Sequence, residues 1–356
     1  MSNESKELAA NAKRFDRKTL GDKLMNNALY ILMILAVIYI QFFCNSNFLA
    51  PASLVNILSQ TAAYLPAALG IAGCIVLTGT DLSAGRCVGL TACISASLLQ
   101  KVGSASKMWT NIGTLPVPVV ILIVVLIGAL VGAFNGFFVA KFKLHPFIVT
   151  LGTQLILYTC LLLYVQQGNN GGMAISSLDP SYTDFIKGSF VSVPTGNGTS
   201  TPIPNFVWFA ILLTALMWFI WNKTTFGKNM FALGSNEEAA RVSGVNVFAT
   251  TIMVFALAGA MYGWTGFVEG ARIGSNTANT GFNYELDAIA ACVIGGVSFV
   301  GGIGKIRGIV IGVLLLRLIF VGLNMAHVSQ DLIYLVKGGI ILFACALDMR
   351  KYLVKK

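Results

Sequence analysis

Long apolar runs constrain the fold of this chain more than any other feature of its sequence. Hydrophobic residues make up 56% of the 356 positions and charged residues only 11%, a composition far too apolar for a soluble protein of this length. A helix needs about 20 apolar residues to cross a bilayer, and roughly ten runs of suitable length follow one another here. Transmembrane barrels show short segments of alternating polarity instead. We therefore predict an all-α, polytopic membrane protein with about ten transmembrane helices.

The predicted spans divide the chain into one membrane domain and two tails. The spans are 28–43, 54–78, 84–99, 118–140, 146–165, 206–221, 247–268, 286–301, 308–323 and 332–347. Residues 1–27 form a polar tail, residues 28–347 form the transmembrane domain, and residues 348–356 form a second tail. The longest predicted outer loop, 166–205, is rich in Gly, Ser, Thr and Pro. It is expected either to fold over the outer mouth or to remain irregular.

Basic residues set the orientation of the predicted spans. Most of the 24 Lys and Arg residues fall on the predicted inner side of the membrane. The exceptions are Lys101, Lys107, Lys187 and Arg272 in outer loops and Arg317 and Lys337 within spans. This bias predicts that both termini, and the segments near residues 80, 143, 235 and 305, are cytoplasmic. Membrane topology thus explains the net charge of +10, and nucleic acid is not a predicted partner.

Cysteine and histidine spacing gives no sign of a metal centre. None of the seven cysteines forms a Cys-x-x-Cys pair, and they are scattered through or beside apolar runs, as small core residues are. The two histidines, His145 and His327, lie at the borders of different spans. No G-x-x-x-x-G-K-[ST] loop and no nucleophile elbow occurs either. We therefore expect no metal site, no catalytic residue, no cofactor bound by this chain and no nucleotide hydrolysis by this chain alone.

The polar segment Thr224–Asn246 separates two apolar runs on the predicted inner side. Ser235 and Glu238 have the spacing of a capping box, and Gly244 suits a left-handed helix end. Glu237, like Glu238, favours the positive end of a helix. We predict a helix of roughly two turns that begins at Ser235. Because such a helix has no core of its own outside the bilayer, its exposed face is expected to contact another protein. A solvated connector is the alternative.

Two other segments resemble each other. Residues 78–93 read TGTDLSAGRCVGLTAC and residues 283–299 read NYELDAIAACVIGGVSF, each with acidic residues before a run of small residues. The predicted orientation has the first segment entering the membrane from the inside and the second from the outside. This is the pattern of an inverted repeat.

Glycine and proline positions indicate how the helices pack. Glycines recur four residues apart at Gly128, Gly132 and Gly136, at Gly259 and Gly263, and at Gly304, Gly308 and Gly312. Small residues at this spacing allow backbones to approach closely, either between helices of one subunit or across a subunit seam. Pro66, in the middle of the second predicted span, predicts a kink or a broken helix.

Several charged residues fall within or against the predicted spans. They are Asp81, Glu269, Glu285, Asp287, Arg317, Asp331 and Lys337. A lone charge at this depth costs at least ~2.5 kcal/mol, so each is expected to pair or to face a cavity. Arg317 and Lys337 lie deep enough to need partners on neighbouring helices, whereas Asp331 can reach the outer surface. For each charge, structural pairing and a role in a transport pathway remain open.

Four motifs resemble those of the ribose/galactose-type sugar permeases of ABC transporters. They are NFLAPASLVNILSQ (47–60), TGTDLSAGR (78–86), FGKNMFALGSNEEAARVSGVN (226–246) and YELDAIAACVIGGVSFVGGIG (284–304). The resemblance runs from about Phe48 to the C-terminus. Its ARIGSNTANTGFNYELDAIAACV run is most similar to the galactose/methyl-galactoside type.

The resemblance implies the permease subunit of a binding-protein-dependent ABC importer in a bacterial inner membrane. The cargo would be a neutral hexose, namely galactose or methyl galactoside, with glucose as a further candidate. The partners would be an ATPase subunit that binds ATP and Mg, a periplasmic sugar-binding protein, a second copy of the chain and membrane lipid. By position, the role of the loop that couples to the ATPase falls on Gly234, Asn236, Glu237, Glu238, Ala239, Arg241 and Gly244.

A sugar also needs polar groups along its passage, because each hydroxyl stripped of water without replacement costs about 1–3 kcal/mol. The residues predicted to line this pathway are Asp81, Ser83, Asn135, Glu285 and Asp287. An ion-coupled secondary sugar carrier is the alternative, but it would need an acid–histidine or acid–hydroxyl relay, and two histidines near span ends supply little of one. A structural membrane scaffold would not need polar and charged residues at this depth.

Overall fold

The structure, a computed structural model, describes residues 28–43, 48–196 and 199–353. Within these ranges it contains thirteen helices and one antiparallel pair of strands. In chain order they are α1 (Ala28–Phe43), α2 (Pro51–Val76), α3 (Ala84–Leu98), α4 (Val117–Phe142), α5 (Pro146–Val165), α6 (Pro180–Lys187), β1 (Val191–Gly196), β2 (Thr199–Ile203), α7 (Asn205–Lys223), α8 (Thr225–Ser235), α9 (Glu237–Val242), α10 (Val247–Ile273), α11 (Tyr284–Ile294), α12 (Ile306–Met325) and α13 (Gln330–Leu353). The predicted tail 1–27 and residues 354–356 lie outside the described residues.

Each predicted span overlaps one of these helices. In the described part of the chain, six helices are long and apolar enough to cross a membrane, namely α2, α4, α5, α7, α10 and α12. A helical protein with several membrane spans is therefore confirmed, and ten crossings remain a prediction. The expectation of an all-α chain is wrong in one detail, because β1 and β2 form a hairpin in the predicted outer loop.

The span predicted over 286–301 is wrong in its length. α11 ends at Ile294, because Gly296 adopts the left-handed conformation with φ +83°. The N–H of Gly296 donates to the carbonyl of Val293, and the N–H of Val297 donates to that of Cys292. This pair of hydrogen bonds satisfies the last carbonyls of the helix in a Schellman motif. α11 is therefore too short to cross a bilayer.

Of the kink or break predicted at Pro66, the break does not occur, since α2 runs as one helix from Pro51 to Val76; the kink stays a prediction. Pro66 is buried among neighbouring helices. Proline is tolerated at such positions in membrane helices, because adjustments in the surroundings satisfy the freed backbone groups. α2 occupies the centre of the bundle, and its second half is almost entirely buried.

The glycines of α4 and α10 pack these two helices against each other within one chain. A methyl group on Gly128 would overlap the carbonyl oxygen of Gly259, and one on Gly259 would overlap that of Gly128. Likewise, a methyl group on Gly263 would overlap the carbonyl oxygen of Val124, and one on Gly132 would overlap that of Phe255. Of the two predicted arrangements, the structure has the contact within the subunit. Only residues without a side chain allow these backbones to touch.

The predicted outer loop folds over one end of the bundle. Asp179 caps α6 by accepting a hydrogen bond from the N–H of Ser181, and hydrogen bonding by Ser181 lowers the pKa of Asp179 from its usual value. Tyr182 is fully buried and hydrogen-bonds to the carbonyl of Phe267 and, at 3.0 Å, to the hydroxyl of Ser95. The segment is thus fixed to α3 and α10, while Phe190, just before the hairpin, has an exposed ring.

Candidate transport and coupling sites

The two segments that resemble each other in sequence meet inside the bundle. A methyl group on Gly85, at the start of α3, would overlap Oε2 of Glu285 and approach the carbonyl oxygen of Gly281. A methyl group on Gly89 would overlap the carbonyl of Thr280. Glycine therefore allows the start of α3 to lie against the start of α11. The acidic ends of the two segments are neighbours, and their relation as an inverted repeat remains a prediction.

Three of the predicted pathway residues belong to one buried hydrogen-bond chain. Oδ1 of Asp81 accepts from the hydroxyl of Ser83 at 2.6 Å and from its N–H at 3.0 Å. Nδ2 of Asn135 donates to the Ser83 hydroxyl at 2.9 Å, and Oδ1 of Asn135 accepts from the hydroxyl of Thr153 at 2.6 Å. The chain links the α2–α3 connection to α4 and α5. Sequence reasoning missed Thr153, and a hydroxyl within the apolar run of α5 was the available signal.

Removing the end of this hydrogen-bond chain is expected to destabilise the protein. Thr153→Val leaves Oδ1 of Asn135 buried without its donor, which costs about 1–3 kcal/mol. Thr159→Val is the matched control, because Thr159 lies on the same helix, also bonds the carbonyl four residues earlier and is exposed. Thermal unfolding of both variants in the same detergent measures the difference. Equal melting temperatures would contradict the role assigned to Thr153.

The fourth and fifth predicted pathway residues have different surroundings. Asp287 accepts from Nη2 of Arg317 at 2.5 Å and lies 2.9 Å from Nζ of Lys337. Sequence analysis predicted that both cations need partners, and they share this one carboxylate between α11, α12 and α13. Glu285 takes no part in these ion pairs, and its Oε2 has no hydrogen-bond partner among the described residues.

Aromatic rings cover the charges around Asp287. The guanidinium of Arg317 lies 3.5 Å from the ring centre of Tyr64, and Tyr64 stacks on Tyr284 with their ring centres 4.2 Å apart. Nζ of Lys337 lies 4.7 Å from the ring centre of Phe320. Cation–π contacts of this kind stabilise a desolvated cation by about 2 kcal/mol. The two cations are thus held by one carboxylate and by aromatic faces.

The remaining charges at membrane depth are paired or reach the surface. Glu269 is fully buried and accepts two hydrogen bonds from Arg272, each of 2.8 Å. Asp331 is exposed, and its reach to the outer surface of the membrane stays a prediction. Arg86, which the sequence assigns to the inner side, is only 9% exposed, and its guanidinium lies 4.2 Å from the ring centre of Tyr158 and 5.2 Å from that of Phe282. An arginine next to the Asp81 motif was the signal that could have indicated this burial.

The predicted coupling segment folds as two helices joined at Asn236. The side chain of Asn236 caps α9 by accepting from the N–H of Ala239 at 3.0 Å. The prediction that Ser235 is the cap is wrong, because its hydroxyl donates to the carbonyl of Phe231 and Ser235 ends α8. Gly244 has φ +86°, so that the predicted left-handed end is confirmed.

The predicted coupling residues divide into an exposed group and one buried glycine. Asn236, Glu237, Glu238, Ala239, Arg241 and Gly244 are exposed. Arg241 pairs within α9 with Glu237 at 2.8 Å and with Glu238 at 3.6 Å. Gly234 is buried, and a methyl group there would overlap the carbonyl oxygen of Val76. Gly234 therefore joins α8 to the end of α2, and the other six residues present a surface.

Apolar helices with buried polar groups between them are typical of membrane proteins that carry a polar pathway. The chain belongs to the family described as branched-chain amino acid transport system / permease component, whose model matches residues 53–345.

Three curated proteins illustrate the similarity. The galactose/methyl galactoside import permease protein of Salmonella typhimurium is 45% identical over 96% of this chain and 99% of its own length. The protein of the same name from Escherichia coli is 44% identical, with the same coverage. The ribose import permease protein of Bacillus subtilis is 35% identical over 91% of each chain. No solved structure shows a significant match to the chain.

Proposed function

We propose that this chain is the permease subunit of an ABC importer that passes galactose or methyl galactoside into the cytoplasm. In this proposal the chain spans a bacterial inner membrane ten times with both termini cytoplasmic, and it works as a homodimer surrounded by lipid. A partner ATPase binds ATP and Mg, and a periplasmic sugar-binding protein delivers the sugar. The similarity to galactose/methyl galactoside import permeases along almost the whole chain supports this choice of cargo.

The observation that carries the coupling part of the proposal is the exposed helix α9. The helix lies between α8 and α10, outside the apolar core of the bundle. Its apolar residue Val242 is 88% exposed. Arg241 pairs with both Glu237 and Glu238, and the three side chains form an exposed polar face beside Val242. An apolar side chain with a polar rim is typical of a docking surface for another protein. The ATPase subunit is the partner that an importer supplies at this side.

For the pathway, we propose that Asp81, Ser83, Asn135, Glu285 and Asp287 form the polar lining. Carboxylate, hydroxyl and amide groups replace the water that a sugar loses, so that its hydroxyl groups remain hydrogen-bonded. Glu285 and Asp81 each retain a buried carboxylate oxygen without a partner in the described part of the chain. Release requires weak binding, so the affinity for the sugar belongs to the binding protein.

Reversing the charge of α9 is expected to abolish uptake. The double variant Glu237→Lys, Glu238→Lys places positive charges against the surface of the ATPase that complements the native acids. This repulsion costs several kcal/mol and is expected to lower uptake by more than about tenfold. The lost ion pairs with Arg241 are exposed and worth only about 0.3–0.5 kcal/mol each, so that the chain still inserts. Uptake of labelled galactose, the amount of chain in the membrane and co-purification of the ATPase are measured.

Two further variants complete this experiment. Asp184→Lys changes an exposed acid on α6 and is expected to leave uptake within twofold of the native level. Gly244→Pro is expected to abolish uptake as well, because proline cannot adopt the φ of +86° found there. Normal uptake together with unchanged ATPase binding in the charge-reversed chain would refute the proposed coupling.

The ion-coupled carrier predicts a different result in vesicles. Vesicles that contain this chain alone are expected not to concentrate galactose when given a proton or sodium gradient. Addition of the ATPase, ATP, Mg and the binding protein is expected to start uptake. Accumulation by the chain alone would favour the secondary carrier.

A further inference from the structure

The connection between α11 and α12 is a glycine-rich loop that touches the coupling segment. Residues 295–304 read GGVSFVGGIG, and three of these glycines have positive φ, Gly296 at +83°, Gly301 at +90° and Gly302 at +67°. The N–H of Gly302 donates to the carbonyl of Val76, the last residue of α2, at 2.9 Å. The loop therefore reaches the place where α2 and α8 meet.

Close contacts between backbones fix this loop to α8. A methyl group on Gly302 would overlap Oγ of Ser235 and lie 2.9 Å from the Cα atom of Ser235. A methyl group on Gly301 would overlap the carbonyl oxygen of Gly234, and one on Gly234 would lie 2.9 Å from the backbone nitrogen of Gly302. Contacts of this kind leave no room for the loop and α8 to slide past each other.

The other end of the same loop continues into α11. The Schellman hydrogen bonds at Gly296 close the end of α11 onto the loop, and α11 has eleven residues, a rise of about 16 Å. Its first turn carries Glu285 and Asp287, two of the predicted pathway residues. A methyl group on Gly295 would overlap the carbonyl oxygen of Gly308, and one on Gly308 would overlap that of Gly295. α11 therefore also packs tightly on α12.

We propose that α8, the 295–304 loop and α11 move as one rigid body together with α2 and α12, which pack on them just as closely. Gly301 and Gly302 are the positioning residues that connect the ATPase side to Glu285 and Asp287. This inference rests on the proposed function, because the force must come from a partner ATPase. A displacement of α9 and α8 shifts Gly302, and α11 transfers the shift to the acidic groups at its other end. The packed contacts provide the physical connection, since no side chain has to rearrange between the two ends.

The two glycines Gly302 and Gly296 allow a matched test. Gly302→Ala and Gly296→Ala both place a side chain at a positive φ, +67° and +83° respectively, so that both carry backbone strain. A methyl group at Gly296 meets nothing within 4 Å, whereas one at Gly302 overlaps Ser235. Transport by the complex with its ATPase and binding protein is expected to fall about tenfold more in Gly302→Ala than in Gly296→Ala. ATPase binding and basal ATP hydrolysis are expected to stay within twofold in both variants.

A suppressor separates lost coupling from lost structure. Ser235→Gly removes the nearest atom that the new methyl group would meet, so that it is expected to restore part of the transport of Gly302→Ala. The same change in the Gly296→Ala background is expected to restore nothing. A merely structural role of Gly302 would lower the amount of assembled complex, the binding of ATPase and transport together. Equal transport in the two alanine variants, or loss of the assembled Gly302→Ala complex with no suppression by Ser235→Gly, would overturn the inference.

Hydrogen–deuterium exchange on the unaltered complex provides a second measurement. When the ATPase is trapped with ATP, peptides that cover 231–244 and 296–304 are expected to change protection with the same sign and the same nucleotide dependence. A change confined to 231–244 would overturn the inference while leaving the proposed function intact. Failure of the ATPase to bind the native chain would instead refute the proposed function.

Discussion

Asp287→Asn is expected to remove most of the folded protein from the membrane. The substitution removes the charge that Arg317 and Lys337 share, and the side chain of Arg317 is only 8% exposed. Breaking a buried ion pair by removing one partner costs about 3–5 kcal/mol, because the other charge remains buried. This cost is a large fraction of a typical folding free energy of about 5–15 kcal/mol. The yield of monodisperse protein and its melting temperature are the measurements.

Two further variants test the reason for this loss. Lys337→Met in the Asp287→Asn background removes one of the two stranded cations and is expected to restore part of the yield. Asp331→Asn changes an exposed acid on α13 and is expected to alter the melting temperature little, as surface substitutions usually do. A yield of Asp287→Asn equal to that of the native chain would contradict the shared ion pair.

Gly128→Leu is expected to prevent α4 from packing on α10. A Cβ atom on Gly128 would overlap the carbonyl oxygen of Gly259, and one on Gly259 would overlap that of Gly128. A leucine side chain at position 128 therefore forces the two backbones apart along the whole helix–helix contact. Overpacking of a core costs about 1–3 kcal/mol or more. The loss is at the upper end here, because backbone atoms cannot rotate away as a flexible side chain does. We expect little folded protein by size-exclusion chromatography.

The control for the glycine seam is Gly152→Leu on α5. A methyl group at Gly152 meets nothing within 4 Å, and the residue is exposed. Because leucine has a better helix propensity than glycine by roughly 1 kcal/mol, this variant is expected to be as stable as the native chain or slightly more so. Equal yields of the two leucine variants would show that the seam tolerates separation.

The helices of the bundle could be predicted from the sequence because the bilayer leaves few alternatives to an apolar run of sufficient length. The bounds of α1 and α5 coincide with those predicted. The need of Arg317 and Lys337 for partners also followed from their depth, since a lone charge there is costly. Their common partner could not be identified, because the packing of the three successive helices α11, α12 and α13, which brings Asp287, Arg317 and Lys337 together, is not given by the apolar pattern.

Other features depend on tertiary packing or on competing local signals. Ser235 and Asn236 are both good helix-capping residues. Asn236 caps α9 because α8 extends through Ser235 and the chain turns only after it. The length of α11 depends on Gly296, which the apolar pattern around it does not mark as a helix end. The burial of Gly234 arises from its contact with Val76, a residue more than 150 positions away in the sequence. The hairpin in the outer loop follows from strand pairing within a Gly- and Thr-rich stretch of low apolar content.

Asp287 binds cations from two different helices, and this has a consequence for the last helix of the chain. If α13 is removed by truncation after Ser329, Lys337 is lost but Arg317 still neutralises Asp287. The charge of Asp287 therefore stays neutralised in the shortened protein. Loss of α12 alone would likewise leave Lys337 to neutralise Asp287, so that either cation is sufficient for the charge, whereas the apolar packing of α13 at Ile333 has no substitute.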